Sequence, residues 1–291
     1  MRESFQITFR KTFLLLPIFA ISLLSFSDVR HTAGGLLQES FTINRQIKTI
    51  RLTMLMKEKV NEDYIFKKAD FKIAYNPFQL YLKQGYPNKG LEILYNEGEN
   101  EGKAIVNRNA LAFSVLHLDP TGNIIRRNHH HSIFKAGISY MLEVFEHLYT
   151  KYEPTSENVW KYEGLVKYAD IICHKITFKS PDFKFIPYLI QEGETLEEIS
   201  RKYYISDYMI YEKNPSIKSF ESLKPGMNIS IPTDYGKKII LYIHKQNLLP
   251  VGVKIFDEEG LYEEYTYLNV QVNPQYSPLD FDVNNPSYGF N

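Results

Sequence analysis

Residues 63–84 read DYIFKKADFKIAYNPFQLYLKQ, two aromatic-rich, alternating runs that a short Asn-Pro turn separates. Further short runs follow at close spacing: LEILYNEG (91–98), GKAIVNRN (102–109) and AFSVLHLDP (112–120). Pro, Asn and Gly supply turns between them: YPNKG (86–90), NEGENEG (96–102) and DPTGN (119–123). Strands at this spacing, joined by short turns, predict an antiparallel meander over residues 63–123.

The segments on either side of the meander predict helices and more strands. Residues 34–60 place Ile43, Ile47, Ile50 and Met54 on one helical face and predict an amphipathic helix. Residues 132–149 repeat that spacing and predict a second helix. Extended patterns return at 162–178, 238–246, 251–257 and 262–270, and the tail FDVNNPSYGF (281–290) predicts an irregular, docked end. The fold class is therefore predicted to be α+β, with an antiparallel sheet and N-terminal and central helices.

The composition of the 291-residue chain is that of a folded protein and excludes one class of partner. Hydrophobic residues make up 44% of the chain, and 22 Tyr and 19 Phe favour half-buried strands over a helical bundle. Lys plus Arg equals Asp plus Glu at 34 each. With no excess of positive charge, nothing directs the molecule as a whole to nucleic acid, and we expect no such partner.

The N-terminus predicts export. Arg2, Arg10 and Lys11 precede an apolar run over residues 13–26, which is too short to span a bilayer comfortably. Small side chains at 25 and 27 then stand at the −3 and −1 positions of a cleavage site before Asp28. This is the layout of a signal peptide over residues 1–27. The lone Cys173 cannot form an intramolecular disulfide, so the exported protein must be stabilised by its core.

A small helical module interrupts the strands between residues 178 and 238. In QEGETLEEISRKYYIS (191–206), Thr195 and Glu198 fit a capping box, and Gly193 supplies the turn before it. Ser206 is placed to cap a second helix over 207–213, and SLKPGMNISIP (222–232) then predicts a turn and a short strand. The order is β-α-α-β in fewer than fifty residues.

Residues 188–232 resemble a LysM domain. The likeness rests on the spaced pattern from Tyr188 to Tyr203, on Asn214-Pro215, and on LKPGMNISIP (223–232), with Glu194 where the family usually has aspartate. LysM domains bind glycans that contain N-acetylglucosamine, such as peptidoglycan, between two loops. The resemblance implies these glycan-binding residues: Gly193, Glu194, Thr195 and Leu196 in the first loop, and Asn214, Pro215, Ser216 and Ile217 in the second. The alternative is that Gly193, Thr195 and Leu196 match because they build the fold.

The predicted domain boundaries make this module an insertion. A LysM domain at 186–233, called the insert below, would divide a host domain into residues 28–185 and 234–291. Because the end strands of a βααβ unit pair roughly 5 Å apart, the insert can replace the turn of a host hairpin. The host strands on either side would be 170–178 and 238–246.

The host is similar to an exported bacterial family of unknown function with the LolA-like, lipoprotein-carrier-like half-barrel fold. The residues that carry this resemblance are PFQLYLK (77–83), KGLEILYNEGENEGKAIV (89–106), LDPTGN (118–123), HHSIFKAGI (130–138), LLPVGVKIFDEEGLYEEYTYLNVQVN (248–273) and FDVNNPSYGF (281–290). In that fold an unclosed barrel encloses an apolar cavity under helices, which relatives use to hold acyl chains. The resemblance implies such a cavity here.

Three groups of residues suggest catalysis or metal binding, and each has a simpler interpretation. His129-His130-His131 lacks the further ligands that zinc requires, so a polar loop is favoured. Cys173 and His174 face opposite sides of a strand and cannot form a dyad, so a buried structural cysteine is favoured. The acid pairs Glu258-Glu259 and Glu263-Glu264 lie at a turn and a strand end, where a solvated edge explains them better than a glycosidase.

The sequence as a whole predicts a non-catalytic protein of the periplasm or cell envelope of a Gram-negative bacterium. No cofactor and no metal are expected. The insert would bind peptidoglycan, and the host would bind a lipid, a lipoprotein or an envelope partner. The alternatives are a structural scaffold whose cavity is filled by its own side chains, and a cell-wall hydrolase.

Overall fold

The computed structural model describes residues 32–108 and 115–290, so the predicted signal peptide lies outside the described residues. In chain order the strands are β1 (Thr49–Val60), β2 (Asp63–Tyr75), β3 (Phe78–Tyr86), β4 (Glu92–Asn96), β5 (Ala104–Asn107), β6 (Val115–Leu118), β7 (Trp160–Tyr168), β8 (Ile171–Lys179), β9 (Phe185–Leu189), β10 (Asn228–Pro232), β11 (Lys238–His244), β12 (Pro250–Phe256) and β13 (Leu261–Val272). The α-helices are α1 (Ala33–Asn44), α2 (Asn123–Arg126), α3 (Ser139–Lys151), α4 (Ser156–Val159), α5 (Leu196–Tyr203) and α6 (Asp207–Lys213).

Most of these strands form a single antiparallel sheet. Its order is β6-β5-β4-β3-β2-β1-β13-β12-β11-β8-β7, so the first six strands are a meander and β13 joins them to the strands of the second half. The predicted meander is confirmed, as is the α+β class with a large curved antiparallel sheet and few helices.

The prediction of a helix over residues 34–60 is wrong in its second half. Helix α1 ends at Asn44, and residues 49–60 form β1, which pairs with β2 on one side and β13 on the other. Ile50 and Met54 are four residues apart and fit both periods, but Leu52 and Met56 are buried with them, which is the two-residue period of a strand. Residues 49–60 therefore form a strand despite the helical spacing, because they include β-branched residues and pair with a strand on each side.

The core lies on one face of the sheet, where α1 and α3 cover it. Cross-strand neighbours Ile50 and Ile73 are fully buried there, together with Leu37 of α1 and Phe145 of α3. The predicted helix over 132–149 begins later than expected, because residues 133–135 form a 3-10 turn before α3. Burying each such apolar side chain contributes about 1.5–3 kcal/mol, so this face anchors the fold.

The C-terminal tail docks on the opposite face of the sheet. The Tyr288 ring stacks on Tyr81 of β3 with 3.7 Å between centroids, and Phe281 is buried in the same cluster. Lys72 Nζ donates to Asp280 at 2.6 Å and to the Tyr288 hydroxyl at 2.9 Å. Apart from a 3-10 turn at Pro278–Phe281 the tail is irregular, as the sequence predicts.

The insert has its own small sheet and its own apolar cluster. Strands β9 and β10 pair antiparallel, and α5 and α6 lie between them in the chain. The capping box forms, since Thr195 Oγ1 accepts from the Glu198 N–H and the Glu198 carboxylate accepts from the Thr195 N–H. The flanking strands β8 and β11 pair antiparallel from Cys173–His244 to Lys179–Lys238. The segment therefore connects two neighbouring strands of the large sheet.

Candidate functional site

The first predicted glycan loop is built mainly by backbone requirements. Gly193 has a φ of 79°, a left-handed conformation that glycine adopts without strain. Glu194 accepts from the Tyr188 hydroxyl at 2.7 Å and the Gln191 N–H at 2.9 Å, and these hydrogen bonds lower the pKa of its carboxyl. Thr195 caps α5, and Leu196 is buried in the insert's core.

The second predicted loop is also partly structural. The Asn214 amide donates to the Ile210 and Ser230 carbonyls at 2.7 and 2.8 Å, which ties α6 to β10. Ile217 is buried in the same apolar cluster as Leu196. Pro215 and Ser216 are exposed. Of the eight predicted residues, Leu196, Asn214 and Ile217 are therefore also buried parts of the fold.

A polar groove of about 540 Å³ lies where the insert meets two turns of the large sheet. We call it the junction groove. Pro215 and Ile217 of the second predicted loop line it, whereas none of the first-loop residues does. The turn β1–β2 contributes Asn61 and the turn β12–β13 contributes Glu258. The second predicted loop therefore borders the junction groove, and the first predicted loop does not.

An apolar cavity of about 70 Å³ lies between the concave face of the sheet and residues 122–136, which we call the roof segment. The sheet contributes Met54, Ala69 and Phe71, and the roof contributes Ile133 and Ala136. Glu58, His129, His131 and Tyr265 stand at its polar edge. The LolA-like resemblance implies a cavity under helices, whereas this one is small and lies under the roof segment.

A second space of about 280 Å³, the outer cavity, adjoins the inner one. The two share five lining residues: Gln84, Leu91, Ile93, Ile125 and His129. Arg108 and Arg127 line the outer cavity and are exposed, and within the described residues neither pairs with a carboxylate. An apolar interior thus leads to an entrance with two positive charges.

The histidine segment is a loop, as predicted, but it is not solvated. His130 is fully buried, with its Nδ1 2.8 Å from Glu263 and its Nε2 2.7 Å from the Lys59 carbonyl oxygen. Both partners are acceptors, so both ring nitrogens donate and His130 is an imidazolium. Burial opposes ionisation of Glu263, but His131 and His130 lower the pKa of its carboxyl to about 2.

Glu263 therefore corrects the prediction of a solvated acidic edge. It lies in β13 with no exposed surface, whereas Glu258 and Glu259 are exposed in the turn as predicted. Glu58 completes the cluster, paired with the buried Lys67. The Tyr265 hydroxyl bridges the two carboxylates, 2.7 Å from Glu58 and 3.1 Å from Glu263.

A second buried charge cluster joins the roof segment to the insert. Arg126 donates to Asp207 at 2.6 Å, and Lys135 lies 3.1 Å from the same carboxyl group. Lys135 also donates to Ser200 at 2.7 Å and lies 3.2 Å from Glu197. The insert's helices thus hold the segment that covers the inner cavity.

Sequence reasoning missed these charged residues because their partners are far apart in the chain. One signal was available: Glu58 falls in the same alternating phase as Leu52, Met54 and Met56, which places a carboxylate on a buried face. Arg126 and Lys135 lie in a turn-rich stretch without periodicity, so nothing local distinguishes them from exposed residues.

Cys173 is buried, and burial raises the pKa of its thiol to about 11, as expected of a structural cysteine. Across residues 32–108 and 115–290, no set of three or more His, Cys, Asp or Glu side chains is placed to hold a metal ion. In the same part of the chain, no helix is both long and apolar enough to cross a membrane.

Comparison with known proteins gives one family match by sequence. The model of the family described as "Protein of unknown function (DUF1571)" matches residues 47–184 and 225–290. The break in this match, 185–224, contains β9, α5 and α6. No curated protein matches the chain.

Several solved structures are similar to the chain. The MucA/MucB complex of Pseudomonas aeruginosa matches at a TM-score of 0.37 and 8% identity, over 86% of this chain and 60% of that one. Lipoprotein LppX of Mycobacterium tuberculosis matches at 0.40 and 14%, over 84% and 98%. A LolA superfamily protein of Nitrosomonas europaea matches at 0.30 and 8%, over 87% and 98%. The chain spans about three fifths of the length of the MucB structures, at 59 to 62%.

Proposed function

The chain belongs to the DUF1571 family, and we propose that it is a non-catalytic protein of the bacterial cell envelope. The large sheet would hold the apolar part of a lipid or lipoprotein between its concave face and the roof segment. The observation that carries this proposal is the inner cavity, whose walls are mainly Met, Phe, Leu, Ile and Ala side chains, with polar side chains at one edge. The apolar part of such a cavity accepts apolar ligands.

The size of the two cavities suggests how a ligand is held. The inner cavity, at about 70 Å³, has the volume that about two water molecules occupy in the liquid. It would therefore hold the end of an acyl chain rather than the whole acyl chain. The outer cavity, about four times larger, would hold the remainder. Arg108 and Arg127 at the entrance would then attract an anionic group on the ligand.

The insert would fix the protein to the cell wall. Its βααβ order, capping box and exposed Gly193, Thr195, Pro215 and Ser216 support glycan binding by a LysM domain at 186–233. A single shallow site of this kind binds weakly, so a second attachment would be needed for firm retention. Together with the predicted signal peptide, this supports an exported protein of the Gram-negative periplasm.

A scaffold with a filled cavity is the second candidate, and the small inner volume favours it. In that case the roof segment would be a fixed part of the core, and the outward surfaces would bind the partner. The cell-wall hydrolase that the sequence left open has no support in a named set of side chains, so we do not propose it.

Filling the inner cavity distinguishes the first two candidates. Ala69 of β2 lines this cavity, and Ala69→Leu would occupy the space that a ligand needs. We expect binding of a fluorescent fatty acid, measured by titration, to weaken about tenfold or more. Ala74→Leu, on the same strand but facing the tail, is the matched control and should bind like the parent. Equal binding by both variants would favour the scaffold.

A further inference from the structure

Four large apolar side chains are exposed on the outward face of β1, β2 and β3. Leu55 is 37% exposed, Tyr64 40%, Phe66 54% and Tyr86 58%. They lie on the face opposite to the one that α1 and α3 cover, because they alternate with the buried Met54, Met56 and Lys67 along the strands. A folded protein exposes single apolar residues commonly, but a contiguous group indicates an interaction surface.

The strand register makes these side chains one patch. Leu55 pairs with Lys68, and Lys68 pairs in turn with Tyr86, which forms one row across three strands. The next row pairs Lys57 with Phe66, and the row after it pairs Lys59 with Tyr64. Side chains of paired residues stand about 4.5–5.5 Å apart on one face. We call this surface the aromatic patch.

Two lysines in the aromatic patch have no carboxylate partner among the described residues. Lys57 Nζ lies 4.1 Å from the Tyr64 ring centroid and 5.5 Å from that of Phe66. Lys68 stands between Leu55 and Tyr86. The nearest acid by register, Glu264, is already bound to Lys254 at 3.1 Å and to the Tyr168 hydroxyl at 2.9 Å. The patch therefore presents two lysine ammonium groups that form no ion pair within the described residues, next to aromatic rings.

The C-terminal tail covers the neighbouring part of the same face but not this part. Tyr288 and Phe281 pack over Tyr81 and Leu94, farther along β3 and across to β4. The C-terminal tail thus covers apolar side chains elsewhere on this face and leaves the aromatic patch exposed.

We infer that the aromatic patch is a docking surface for an anionic lipid bilayer. Tyr and Phe rings bury their apolar faces at the boundary of a membrane, and anionic headgroups attract lysines. The lysines distinguish this occupant from a protein partner, because lysine is depleted in protein–protein interfaces. Electrostatic attraction and aromatic insertion together provide the two contributions that a peripheral protein needs.

Docking on a bilayer goes beyond the proposed binding of a single ligand. The aromatic patch and the outer cavity are nevertheless adjacent. Tyr86 ends β3, and the turn that follows it carries Asn88, which lines the outer cavity. Gln84, two residues earlier, lines both cavities and donates to the Tyr86 carbonyl at 3.1 Å. Docking through the aromatic patch would therefore bring the entrance with Arg108 and Arg127 close to the lipid surface.

Vesicle co-sedimentation tests the inference. The chain from Asp28 onward, which contains the whole compact unit His31–Asn291, is mixed with phosphatidylcholine vesicles with and without phosphatidylglycerol. We expect binding to the phosphatidylglycerol vesicles alone, and weaker binding at high salt. Phe66→Ser with Tyr86→Ser, and separately Lys57→Gln with Lys68→Gln, should each weaken binding about tenfold or more.

The matched control lies at the far end of the sheet. Leu165 and Ile172 are 47% and 48% exposed on β7 and β8, so Leu165→Ser with Ile172→Ser removes a similar exposed apolar surface elsewhere. This variant should bind vesicles like the parent. The inference is overturned if the parent does not bind phosphatidylglycerol vesicles, or if the control loses binding as much as the patch variants. A dimer in sedimentation velocity that only the patch variants abolish would assign the patch to a second copy of the chain instead.

Discussion

At the scale of single residues, the buried His130 explains how polar groups are accommodated beside an apolar cavity. Its two donors are matched by Glu263 and the Lys59 carbonyl, and its ring stacks on Tyr208 of the insert with 4.3 Å between centroids. Burial favours the neutral ring, but the hydrogen bond to Glu263 and the nearby Glu58 raise the pKa of His130 above its ordinary value.

The free energy of unfolding should depend on pH through this pair. With its folded pKa raised, His130 contributes fully below about pH 6.5 and loses its contribution as pH rises through the folded pKa. With its folded pKa about 2, Glu263 contributes above about pH 4.5 and loses its contribution as pH falls toward that value. His130→Gln should therefore cost most between these limits, by about 3–5 kcal/mol in urea unfolding near pH 6.

The same comparison at about pH 9 supplies the test of this charge assignment. The difference between the parent and His130→Gln should shrink there, because above the unfolded pKa of about 6.5 the folded imidazolium holds a proton that the unfolded chain no longer binds. His117→Gln, at an exposed position of β6, should change the free energy of unfolding little at either pH. An equal difference at both pH values would mean that His130 is neutral in the folded protein.

The role of a residue can be predicted from the sequence when its interaction partner is close to it in the chain. The Thr195–Glu198 capping box spans three residues and was predicted correctly. The partners His130 and Glu263 are 133 positions apart, so no local pattern could separate Glu263 from the exposed acids beside it. Buried ion pairs of this kind are visible only when the sheet order is known.

At the scale of secondary-structure elements, alternation is a more reliable guide than helical spacing, which predicts α3 but extends α1 into β1. Strands β2 to β6 were predicted within a few residues because turn residues bound each run. Strand β1 was mistaken for a helix, because apolar residues four apart satisfy both periods and no turn residue marks its start.

The element that tests the glycan proposal is the loop after α6. Ser216 is exposed there, whereas Asn214 and Ile217 of the same loop support the fold, so Ser216 can be changed without disturbing the insert. Ser216→Glu should reduce co-sedimentation with purified peptidoglycan about tenfold, since it places a charge at the predicted site for a neutral sugar. Ser287→Glu, in the exposed tail, is the matched control; equal pelleting of the two variants would exclude this loop.

At the scale of the whole molecule, the insert is fastened to the roof of the cavity by buried charges. Removing residues 188–232 would therefore leave Arg126 and Lys135 without their acidic partners. A deletion would disturb the host as well as the insert, so single substitutions are the better experiments.

The strength of this attachment can be measured by substituting both partners. Asp207→Leu leaves two buried cations poorly compensated and should cost about 3–5 kcal/mol in urea unfolding. Adding Arg126→Met should recover part of the loss, since an apolar pair replaces an unpaired charge. Glu259→Gln, which breaks the exposed pair with Lys59, should leave the free energy of unfolding nearly unchanged. A cost for Asp207→Leu no larger than this would show that the insert is only loosely held.

The central claim, that the cavity under the roof segment holds the apolar part of a lipid or lipoprotein, is tested most directly by what the protein carries. The chain is purified from the envelope of cells that produce it, and the extracted lipids are identified by mass spectrometry against an Ala69→Leu sample prepared in parallel. We predict a stoichiometric lipid species in the parent sample that is depleted in the variant. Spectra without such a species in either sample, with both proteins folded, would contradict the claim.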